Sequence, residues 1–523
     1  MKKHIALLLA VLMMVTCCVG CVQPVDPNAP KEAVVLEWYF RGCGQQEDTD
    51  AVEARVNELL KTVPGMEHVS VNFNCFVSSE YSQQVLLAQG SGMQIDILNT
   101  VGLSSLAEHV EDGSFMPMDQ YLSDDLKAEL PEWLWGMGTI DGKVYMVPNY
   151  QNAFNSAYIL MPKEYVDNYG DYDKLYSTLT NWDLTITEKA ACLEEFVMQV
   201  REGLGSTTKY AAALSISEVG GTLGYAFETP YDAFGKGFMV KNDGNYDVSF
   251  LYSNPEFKEK WEIYAKWFDK GILSPDGVST DLKNYAYEHM MDDVSTVFCV
   301  KEQIGTPEHV AEIYSASYGF DVYAIPVQQY DFIQYKWAAG GNGISSTCEN
   351  PEEAAKFIEL LTTGTDIGKE IYNTVVFGLE GEHYTKDAKD PDRIETLEYS
   401  GSQGTESTSY AAMKWIIGNS FYAYKNQAVL DGQFELAKEM NEAESTVSSP
   451  LIGFAPSTSK VSTQISQVSA VYGEYVKTLT SGVLGEAGWE ATYNEFMQKL
   501  QQAGVQDVID EYQRQLDAFI ANK

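Results

Sequence analysis

The sequence predicts an α/β protein built from two lobes. Near its beginning, some stretches have apolar residues at the two-residue period of a strand, and others have them at the spacing of a helix. Strands that alternate with helices indicate a largely parallel sheet. The chain has 523 residues, of which 45% are hydrophobic. That length exceeds what one hydrophobic core usually supports, and the apolar fraction is ordinary for a folded protein, so we expect two lobes.

The first hundred residues contain five predicted elements. These are strands over residues 34–40, 69–76 and 95–98, and helices over residues 48–60 and 79–89. The first strand ends in the turn Arg41-Gly42-Cys43-Gly44, and the third breaks at Asn99-Thr100. In open sheets of this kind ligands sit beyond the carboxyl ends of the strands. Residues 39–41 and 99–100 are therefore predicted to line a cleft.

Two later patterns are predicted to be structural. Asn350 and Pro351 have the residue types that cap a helix and open its first turn. Trp261, Tyr264, Trp267 and Phe268 recur at helical spacing, so we expect them to pack inside the second lobe rather than to contact a ligand.

The first twenty residues have the pattern of a signal peptide. Lys2 and Lys3 precede an apolar run over residues 5–15, and a short Cys-rich stretch follows it. The run is about half as long as a helix needs to cross a bilayer. We therefore expect residues 1–20 to direct export and then to be removed.

Gly20 and Cys21 resemble the cleavage site of bacterial lipoproteins, where the cysteine is acylated on its thiol and becomes the new N-terminus. Cys18 departs from that pattern, because leucine usually occupies its position, and Cys17 or Cys18 is an alternative modified residue. An ordinary secretory signal is the other alternative. Residues 21–32 include three prolines and are predicted to form a tether. The resemblance implies a lipid anchor at Cys21 on the extracytoplasmic face of the cell membrane.

The composition excludes several classes of function. A formal net charge of −40 makes nucleic acid and anionic polymers poor partners. We interpret the acidity as a solvated surface rather than as a cation site. Five cysteines follow Cys21 without any C-x-x-C spacing, so no metal site is predicted, and both disulfides and free buried thiols stay open. They are Cys43, Cys75, Cys192, Cys299 and Cys348.

Three segments in the first half of the chain occur in a recognisable order. In residues 81–96 a helical stretch ends in a Ser-Gly turn before a strand that begins near Asp96. Residues 112–119 read Asp-Gly-Ser-Phe-Met-Pro-Met-Asp, and residues 140–149 read Ile-Asp-Gly-Lys-Val-Tyr-Met-Val-Pro-Asn. Together they resemble the extracellular solute-binding proteins of ABC transporters, family 1, in which the last of these strands leads into the second lobe.

The later part resembles a narrower group, the large carbohydrate-type binding lipoproteins with a C-terminal module. The segments that carry this resemblance are residues 343–353, 377–384, 414–419, 449–454 and 500–517. Each is weak alone, and it is their order along the chain that makes the resemblance specific.

The resemblance implies a fold of the periplasmic-binding-protein type II class, with two lobes, a hinge and an added C-terminal helical region. Lobe 1 would comprise residues 33–150 and 332–400, and lobe 2 residues 151–331 and 401–523. The ligand would be a small solute, an oligosaccharide above all, bound between the lobes and presented to the permease subunits of an ABC importer. The protein would act as a monomer without a cofactor.

A sugar presents apolar ring faces and a rim of hydroxyl groups, so its site needs flat aromatic side chains and a few well-placed polar groups. Such residues occur at predicted strand ends, near the crossings between lobes and in the C-terminal motifs. The candidate ligand-binding residues are Trp38, Tyr39, Arg41, Asn99, Tyr150, Gln151, Asn152, Trp337, Glu380, His383 and Trp415.

Some of these candidates also have a structural interpretation. Trp38 suits the core as well as the cleft, and a fixed hydrogen-bond network accounts for Glu380 and His383 as well as ligand contact does. The same choice is open for Trp415. Trp337 lies on the predicted return crossing, residues 330–340, and is predicted to cover the mouth of the cleft. The glycines that follow it, within residues 340–343, would let the backbone bend.

Two other functions stay open as alternatives. An extracellular glycoside-active enzyme would share the signal, the size and the aromatic residues, but no particular pair of the 75 acidic residues stands out as its acid and base. The sequence lacks G-x-S-x-G, H-E-x-x-H, the P-loop and the dinucleotide fingerprint. We therefore predict no catalytic residue. A peptide-binding or sensor lipoprotein on the same fold is the second alternative.

Overall fold

The structure is a computed structural model of the whole chain. It describes residues 31–103, 106–205, 231–235, 237–241, 244–273, 299–303, 305–327, 332–333, 340–397, 409–427, 429–443, 447–448, 451–452, 454 and 456–522. Residues 1–20, the tether up to residue 30, Cys21 and Trp337 lie outside the described residues. Within the described part, none of the helices is both long and apolar enough to cross a membrane.

The first stretch of chain supplies six strands and five helices. The strands are β1 (Val34–Gly42), β2 (Val69–Val77), β3 (Ile97–Asn99), β4 (Thr139–Ile140), β5 (Lys143–Val144) and β6 (Val147–Pro148). The helices are α1 (Thr49–Leu60), α2 (Tyr81–Ser91), α3 (Leu106–Glu111), α4 (Asp124–Glu129) and α5 (Glu132–Trp135). The five elements predicted in the first hundred residues are confirmed, each with its ends shifted by at most two residues.

The chain then crosses to a second group of elements. The strands are β7 (Phe154–Pro162), β8 (Tyr231–Gly235), β9 (Phe238–Lys241), β10 (Val248–Phe250), β11 (Cys299–Gln303), β12 (Val322–Pro326) and β13 (Phe332–Ile333). The helices are α6 (Lys163–Tyr169), α7 (Tyr172–Leu179), α8 (Ile186–Leu204), α9 (Pro255–Asp269) and α10 (Pro307–Tyr318). β7 pairs antiparallel with β11, β12 and β13, and β8, β9 and β10 form a separate antiparallel sheet.

The return crossing leads to the remaining elements. They are β14 (Gly341–Ile344), α11 (Pro351–Thr362), α12 (Asp366–Phe377), β15 (Tyr384–Lys386), β16 (Ile394–Thr396), α13 (Gln433–Glu442), β17 (Val447–Ser448), α14 (Ser462–Thr480), α15 (Gly485–Gln502) and α16 (Val505–Asn522). Asn350 directly precedes α11 as predicted, with Pro351 in the first turn, but its side chain makes no capping hydrogen bond.

The sheet that positions the candidate site has the strand order β2-β1-β3-β14-β6. β1 runs parallel to both β2 and β3, whereas β14 runs antiparallel to β3 and to β6. Because side chains alternate along a strand, Trp38 and Phe40 of β1 point into one buried cluster and Tyr39 points into another. The parallel strands thus carry apolar residues on both faces, as sheets covered by helices do.

Two large clusters of buried apolar residues form the cores. The first is built from the sheet that contains β1 together with α1, α11 and α12, and the second from β9, α8, α9 and the last three helices. Trp261, Tyr264 and Trp267 are at most 2% exposed and belong to the second cluster. Their predicted core role is confirmed.

The clusters also bear on the predicted boundaries. We predicted that residues 401–523 belong to lobe 2, but Tyr410, Met413 and Ile416 pack in the first cluster. The chain leaves that cluster only after α13, because Leu451 and Phe454 pack in the second cluster while the neighbouring Ile452 packs against the first. A third crossing therefore follows α13, in addition to the two that the sequence indicated.

Candidate ligand-binding site

The carboxyl ends of β1 and β3 meet at one edge of the first sheet, because the two strands are parallel neighbours. Arg41 lies at the end of β1, and Thr100 to Gly102 follow β3. Gly102 lies against Arg41: a Cβ added to it would come 2.9 Å from Arg41 Cδ. A Cβ on Gly340 would lie 2.3 Å from Val101 Cγ2 and 3.6 Å from Asn149 Nδ2. The ends of β1, β3 and β6 therefore converge, as the rule for open sheets predicts.

Asn99 supports this edge from inside the protein. Its amide Nδ2 donates to Asn342 Oδ1 at 3.1 Å and to the carbonyl oxygen of Ile416 at 2.8 Å. Trp38 Nε1 donates to the same Asn342 oxygen at 3.1 Å. Trp38 and Asn99 have no exposed surface. Both were candidate ligand contacts, and the structure places both in the core, where they fix the surrounding segments.

A segment from Met413 to Ser420, which we call the 413–420 segment, is held along the end of β6. Asn149 Oδ1 accepts a hydrogen bond from the backbone N–H of Gly418 at 3.0 Å. The backbone N–H of Tyr150 donates to the carbonyl of Gly418 at 2.9 Å, and that of Ser420 donates to the carbonyl of Tyr150 at 2.8 Å. Together with the bond from Asn99 to Ile416, these contacts bring Trp415 to the strand ends.

Arg41 and Trp415 form a cation–π pair. The guanidinium carbon of Arg41 lies 5.3 Å from the centre of the Trp415 ring. Burial lowers the pKa of Arg41 below its ordinary value, because a charged group loses hydration there. Among the described residues Arg41 has no carboxylate partner within ion-pair distance. An aromatic face beside a cation is an arrangement that suits a polar ligand with apolar faces.

Four buried polar atoms in this region have no hydrogen-bond partner within the described part of the chain. They are Arg41 Nε, Asn149 Nδ2, Asn152 Oδ1 and Trp415 Nε1. A buried polar atom without a partner costs about 1–3 kcal/mol, so each one calls for a physical explanation. Two of the four belong to the Arg41–Trp415 pair, and the other two lie on the chain that follows β6, so we take these strand ends as the candidate site.

The crossing at residues 150–152 is fixed by α13. Tyr150 is 1% exposed, and its hydroxyl donates to Glu442 Oε1 at 2.8 Å. Burial, and then the Glu442 carboxylate, raise the pKa of Tyr150. Asn441 accepts from the N–H of Ala153 and donates to the carbonyl of Gln151. Tyr150 thus fixes this crossing against α13, and Gln151 and Asn152 next to it are half-buried.

Glu380 and His383 lie in a loop with its own hydrogen bonds. His383 Nδ1 accepts from the backbone N–H of Leu379 at 2.9 Å, and Nε2 lies 3.2 Å from Asp48 Oδ2. The first bond places the proton of a neutral ring on Nε2, where it can be donated to Asp48. Glu380 is exposed and pairs with Lys386 at 3.3 Å. The structure therefore supports the internal-network interpretation of these two residues.

Tyr39 and Trp415 complete the predicted residues that the structure describes. Tyr39 is 3% exposed and packs in the small cluster between β1 and α2. Trp415 is half-buried and adjoins Arg41. Of the predicted residues, the structure brings Arg41, Asn152 and Trp415 to the site with unpaired polar atoms. Asn149 was not among the predicted site residues, although it directly follows the Val-Pro strand of the 140–149 motif.

The described residues contain no cluster of side chains that could hold a metal ion. Four of the cysteines that follow Cys21 are free and buried: Cys43, Cys75, Cys192 and Cys348. Burial raises the pKa of the Cys75 thiol to about 12, so it stays protonated at neutral pH. For these four, the free-thiol alternative is confirmed.

Comparisons with known proteins agree with this architecture. Residues 450–521 match the family described as Domain of unknown function (DUF3502). No curated protein sequence matches the chain.

The N-glycan transport solute binding protein (NgtS) from Streptococcus pneumoniae aligns over 94% of this chain and 100% of its own, at 21% identity and a TM-score of 0.70. The structure of that protein in complex with Man1GlcNAc aligns over 93% and 100%, at 20% identity and a TM-score of 0.61. The S. pneumoniae ABC-transporter substrate binding protein FusA, in complex with kestose, aligns over 94% and 100%, at 14% identity and a TM-score of 0.57. Over nearly its whole length, the chain therefore has the fold of the solute-binding proteins of ABC transporters.

Proposed function

We propose that this chain is the substrate-binding component of an ABC importer and that it captures an oligosaccharide between its two lobes. The observation that carries the proposal is the group of unpaired buried polar atoms on Arg41, Trp415 and the chain after β6, together with the Arg41–Trp415 cation–π pair. The fold supports it, because two proteins that share the fold are a transport solute-binding protein for N-glycans and a substrate-binding protein in complex with kestose.

The proposed action is binding without chemistry. Two acidic side chains among the described residues near the site make internal hydrogen bonds: Glu442 accepts from Tyr150, and Glu129 accepts from Tyr422 and Asn419. A glycoside-cleaving site needs two carboxyl groups placed on either side of the scissile bond. The residues with unpaired polar atoms at this site are instead an arginine, two asparagines and a tryptophan, which suit recognition.

A thermal-shift screen tests the proposal. The chain without residues 1–21 would be heated with neutral and substituted oligosaccharides and, separately, with short peptides. A ligand that binds only the folded state must raise the unfolding midpoint. We expect a rise with at least one glycan series and no cleavage product after long incubation. Stabilisation by peptides alone would contradict the oligosaccharide assignment, and glycan cleavage would favour the enzyme.

A pair of tryptophan variants tests whether the described site carries the binding. Trp415→Ala removes the ring beside Arg41, and we expect the affinity for the glycan found in the screen to fall at least about tenfold, which is about 1.4 kcal/mol. Trp182→Ala is the matched control, because Trp182 also forms a cation–π pair, with Lys189 in the second lobe. Equal losses in the two variants would place the binding elsewhere.

The membrane anchor is the second part of the proposal. We propose that Cys21 is acylated and holds the chain on the extracytoplasmic face of the cell membrane. Labelled fatty acid should enter the wild-type chain and be absent from Cys21→Ser, which should be released from the membrane fraction. Label that persists in Cys21→Ser and disappears in Cys18→Ser would show that Cys18 is the acylated residue instead.

The partner that follows from this proposal is the permease of an ABC importer, with the chain acting as a monomer. The closed, ligand-bound form is the state that a permease would recognise. Ligand-loaded chain should stimulate ATP hydrolysis by the reconstituted transporter more than ligand-free chain does. Equal stimulation by both forms would favour a sensor role over transport.

A further inference from the structure

The geometry points to a subsite that selects a planar oxygen acceptor carrying no proton of its own. We propose that Arg41, Asn149 and Trp415 bind the carbonyl oxygen of an acetamido group or an oxygen of a carboxylate on the bound sugar. This inference rests on the proposed function and specifies the class of oligosaccharide. It concerns a substituent of the sugar, which the fold alone does not determine.

The unpaired polar groups at the strand ends are mostly hydrogen-bond donors. Arg41 Nε, Asn149 Nδ2 and Trp415 Nε1 each carry N–H, and none has a partner within the described part of the chain. Asn149 is only 2% exposed, so the cost of leaving its N–H unpaired is not relieved by bulk water. None of these nitrogens accepts a hydrogen bond, and the Asn149 amide is held in this orientation because its Oδ1 accepts from the N–H of Gly418.

The amide oxygens of three neighbouring asparagines already accept hydrogen bonds. Asn99 Oδ1 accepts from the N–H of Val101 at 3.0 Å, and Asn149 Oδ1 accepts from the N–H of Gly418 at 3.0 Å. Asn342 Oδ1 accepts from both Trp38 and Asn99. The three asparagines that surround the strand ends therefore present no amide oxygen that lacks a donor.

A ligand hydroxyl fits such a subsite poorly. Each hydroxyl oxygen that accepts from one of the three N–H donors brings a proton that needs an acceptor of its own, and Asn152 Oδ1 is the one asparagine oxygen of this region without a donor in the described residues. A carbonyl or carboxylate oxygen accepts two hydrogen bonds and has no proton to place. A site made to hydrogen-bond one kind of group discriminates strongly against an analogue that leaves its buried polar atoms unpaired.

The remaining groups suit a planar substituent. The Trp415 ring offers a flat surface beside the donors, and Asn152 Oδ1 is a buried acceptor without a partner within the described residues. Asn152 follows Asn149 by three residues, which limits the separation of their Cα atoms to about 10 Å. An acetamido group has an N–H for that acceptor. A carboxylate instead compensates the charge of Arg41, which has no carboxylate partner within the described part.

Binding to a glycan array tests the inference. Each linkage would be represented by three matched oligosaccharides of equal length: unsubstituted, N-acetylated and uronic. We expect the tightest binders to carry an acetamido or carboxylate group and to bind about tenfold or more tightly than their unsubstituted counterparts. Equal or tighter binding of the unsubstituted member would overturn the inference and leave the proposed function intact. If no glycan binds, the proposed function itself fails.

Two variants connect the preference to these residues. Trp415→Phe keeps an aromatic face and removes the Nε1 donor. It should reduce severalfold the ratio of affinities for the substituted and the unsubstituted glycan, whereas a purely structural change would weaken the binding of both glycans equally. Arg41→Gln distinguishes the two substituents. It should abolish salt-sensitive binding of a uronic glycan but preserve most of the binding of an acetamido glycan. A preference that neither variant narrows would contradict the assignment to this subsite.

Discussion

The amide of Asn99 joins three distant parts of the chain. It contacts Asn342 and Ile416, which lie 243 and 317 residues further along the sequence. Asn99 is fully buried, and its bond to Ile416 holds the backbone beside Trp415. Asn99 therefore acts on the site through the residues that it positions.

Replacing Asn99 with alanine should destabilise the protein and weaken ligand binding together. The variant leaves the carbonyl of Ile416 without this donor and Asn342 with one donor fewer inside the core, which should lower the free energy of unfolding by about 2 kcal/mol. Urea denaturation would measure the loss. Asn168→Ala is the control, because Asn168 is exposed, and its cost should stay within about 0.5 kcal/mol. Equal stability of the two variants would refute the positioning role.

Lys189 predicts a dependence of stability on pH. The residue is 1% exposed, and burial lowers the pKa of its ammonium group to about 8, whereas an unfolded lysine titrates near 10.5. Between these two values the unfolded chain binds more protons than the folded chain, so stability rises with pH in that window. Relative to Lys189→Met, the wild type should gain up to about 3 kcal/mol between pH 8 and 10.5. Urea denaturation at several pH values would measure this difference. A difference in free energy of unfolding that stays constant from pH 8 to 10.5 would contradict the lowered pKa of Lys189.

For single residues, the sequence indicated which side-chain types suit a binding site better than it indicated which partners those side chains contact. Arg41 and Trp415 were recognisable because a cation and aromatic rings stood at a strand end and in a C-terminal motif. Asn149 was missed because the role of an asparagine depends on which backbone lies opposite it, here Gly418 at 269 residues' distance. Trp38 was ambiguous for the same reason, since a strand end is both the edge of a site and the end of a core.

The 413–420 segment depends on one glycine that no other residue can easily replace. Gly418 has a φ of +59°, and a Cβ at this position would lie 2.0 Å from the backbone oxygen of Leu361. Both its conformation and the lack of space exclude a side chain. The position of Trp415 follows from this close approach of the segment to α11.

Gly418→Ala should therefore displace the segment and weaken ligand binding at least about tenfold. Gly432→Ala is a matched control: its φ is +76°, but nothing lies within 4 Å of the added Cβ. The control should show only the backbone strain, about 1–2 kcal/mol, with unchanged affinity. Isothermal titration and urea denaturation would separate the two effects. Normal affinity in Gly418→Ala would show that the segment does not determine the site.

The last three helices complete the second core. Phe496 of α15 has no exposed surface, and its ring lies 5.5 Å from that of Tyr475, 6.1 Å from Trp261 and 6.2 Å from Tyr252. These partners come from three different parts of the chain. The region that matches the domain of unknown function is therefore part of this core rather than an appendage to it.

Phe496→Ala should cost about 3–5 kcal/mol, because it leaves a cavity among rings that cannot collapse. The loss should appear in the unfolding transition of the second lobe and leave the first largely unchanged. Phe268→Ala, at a half-buried position on α9, should cost less. Calorimetry of both variants would show whether the transitions separate. A uniform shift of all transitions would mean that the two cores unfold as one unit.

Local periodicity predicted the early strands and helices because their apolar residues face cores on a regular pattern. It did not predict the third crossing, because the chain between α13 and α14 has no periodic stretch and its direction is set by packing. Leu451, Ile452 and Phe454 are neighbours in sequence, yet they divide between the two cores. Patterns of single residues do not encode such a division.

At the scale of the whole molecule, the links between the lobes determine how the protein can move. Described residues on the two sides of three crossings pack in different cores: the crossing at residues 150–152, the return crossing before β14 and the crossing after α13. A further contact joins α3 to the segment before α14, where Glu108 accepts from the N–H and the hydroxyl of Thr458, at 2.7 and 2.6 Å. Hinge motions take up their backbone rotation at a few residues of this kind, in the chain that connects two lobes.

Ligand binding should therefore close the cleft and make the protein more compact. A ligand shifts the equilibrium toward the closed form only by as much as it contacts that form better. We expect the radius of gyration from small-angle X-ray scattering to fall when the glycan identified by the screen is added. Trp415→Ala at the same total glycan concentration should show little change. If the wild type binds the glycan with unchanged dimensions, the lobes do not close on it, and recognition by a permease would have to depend on the ligand itself.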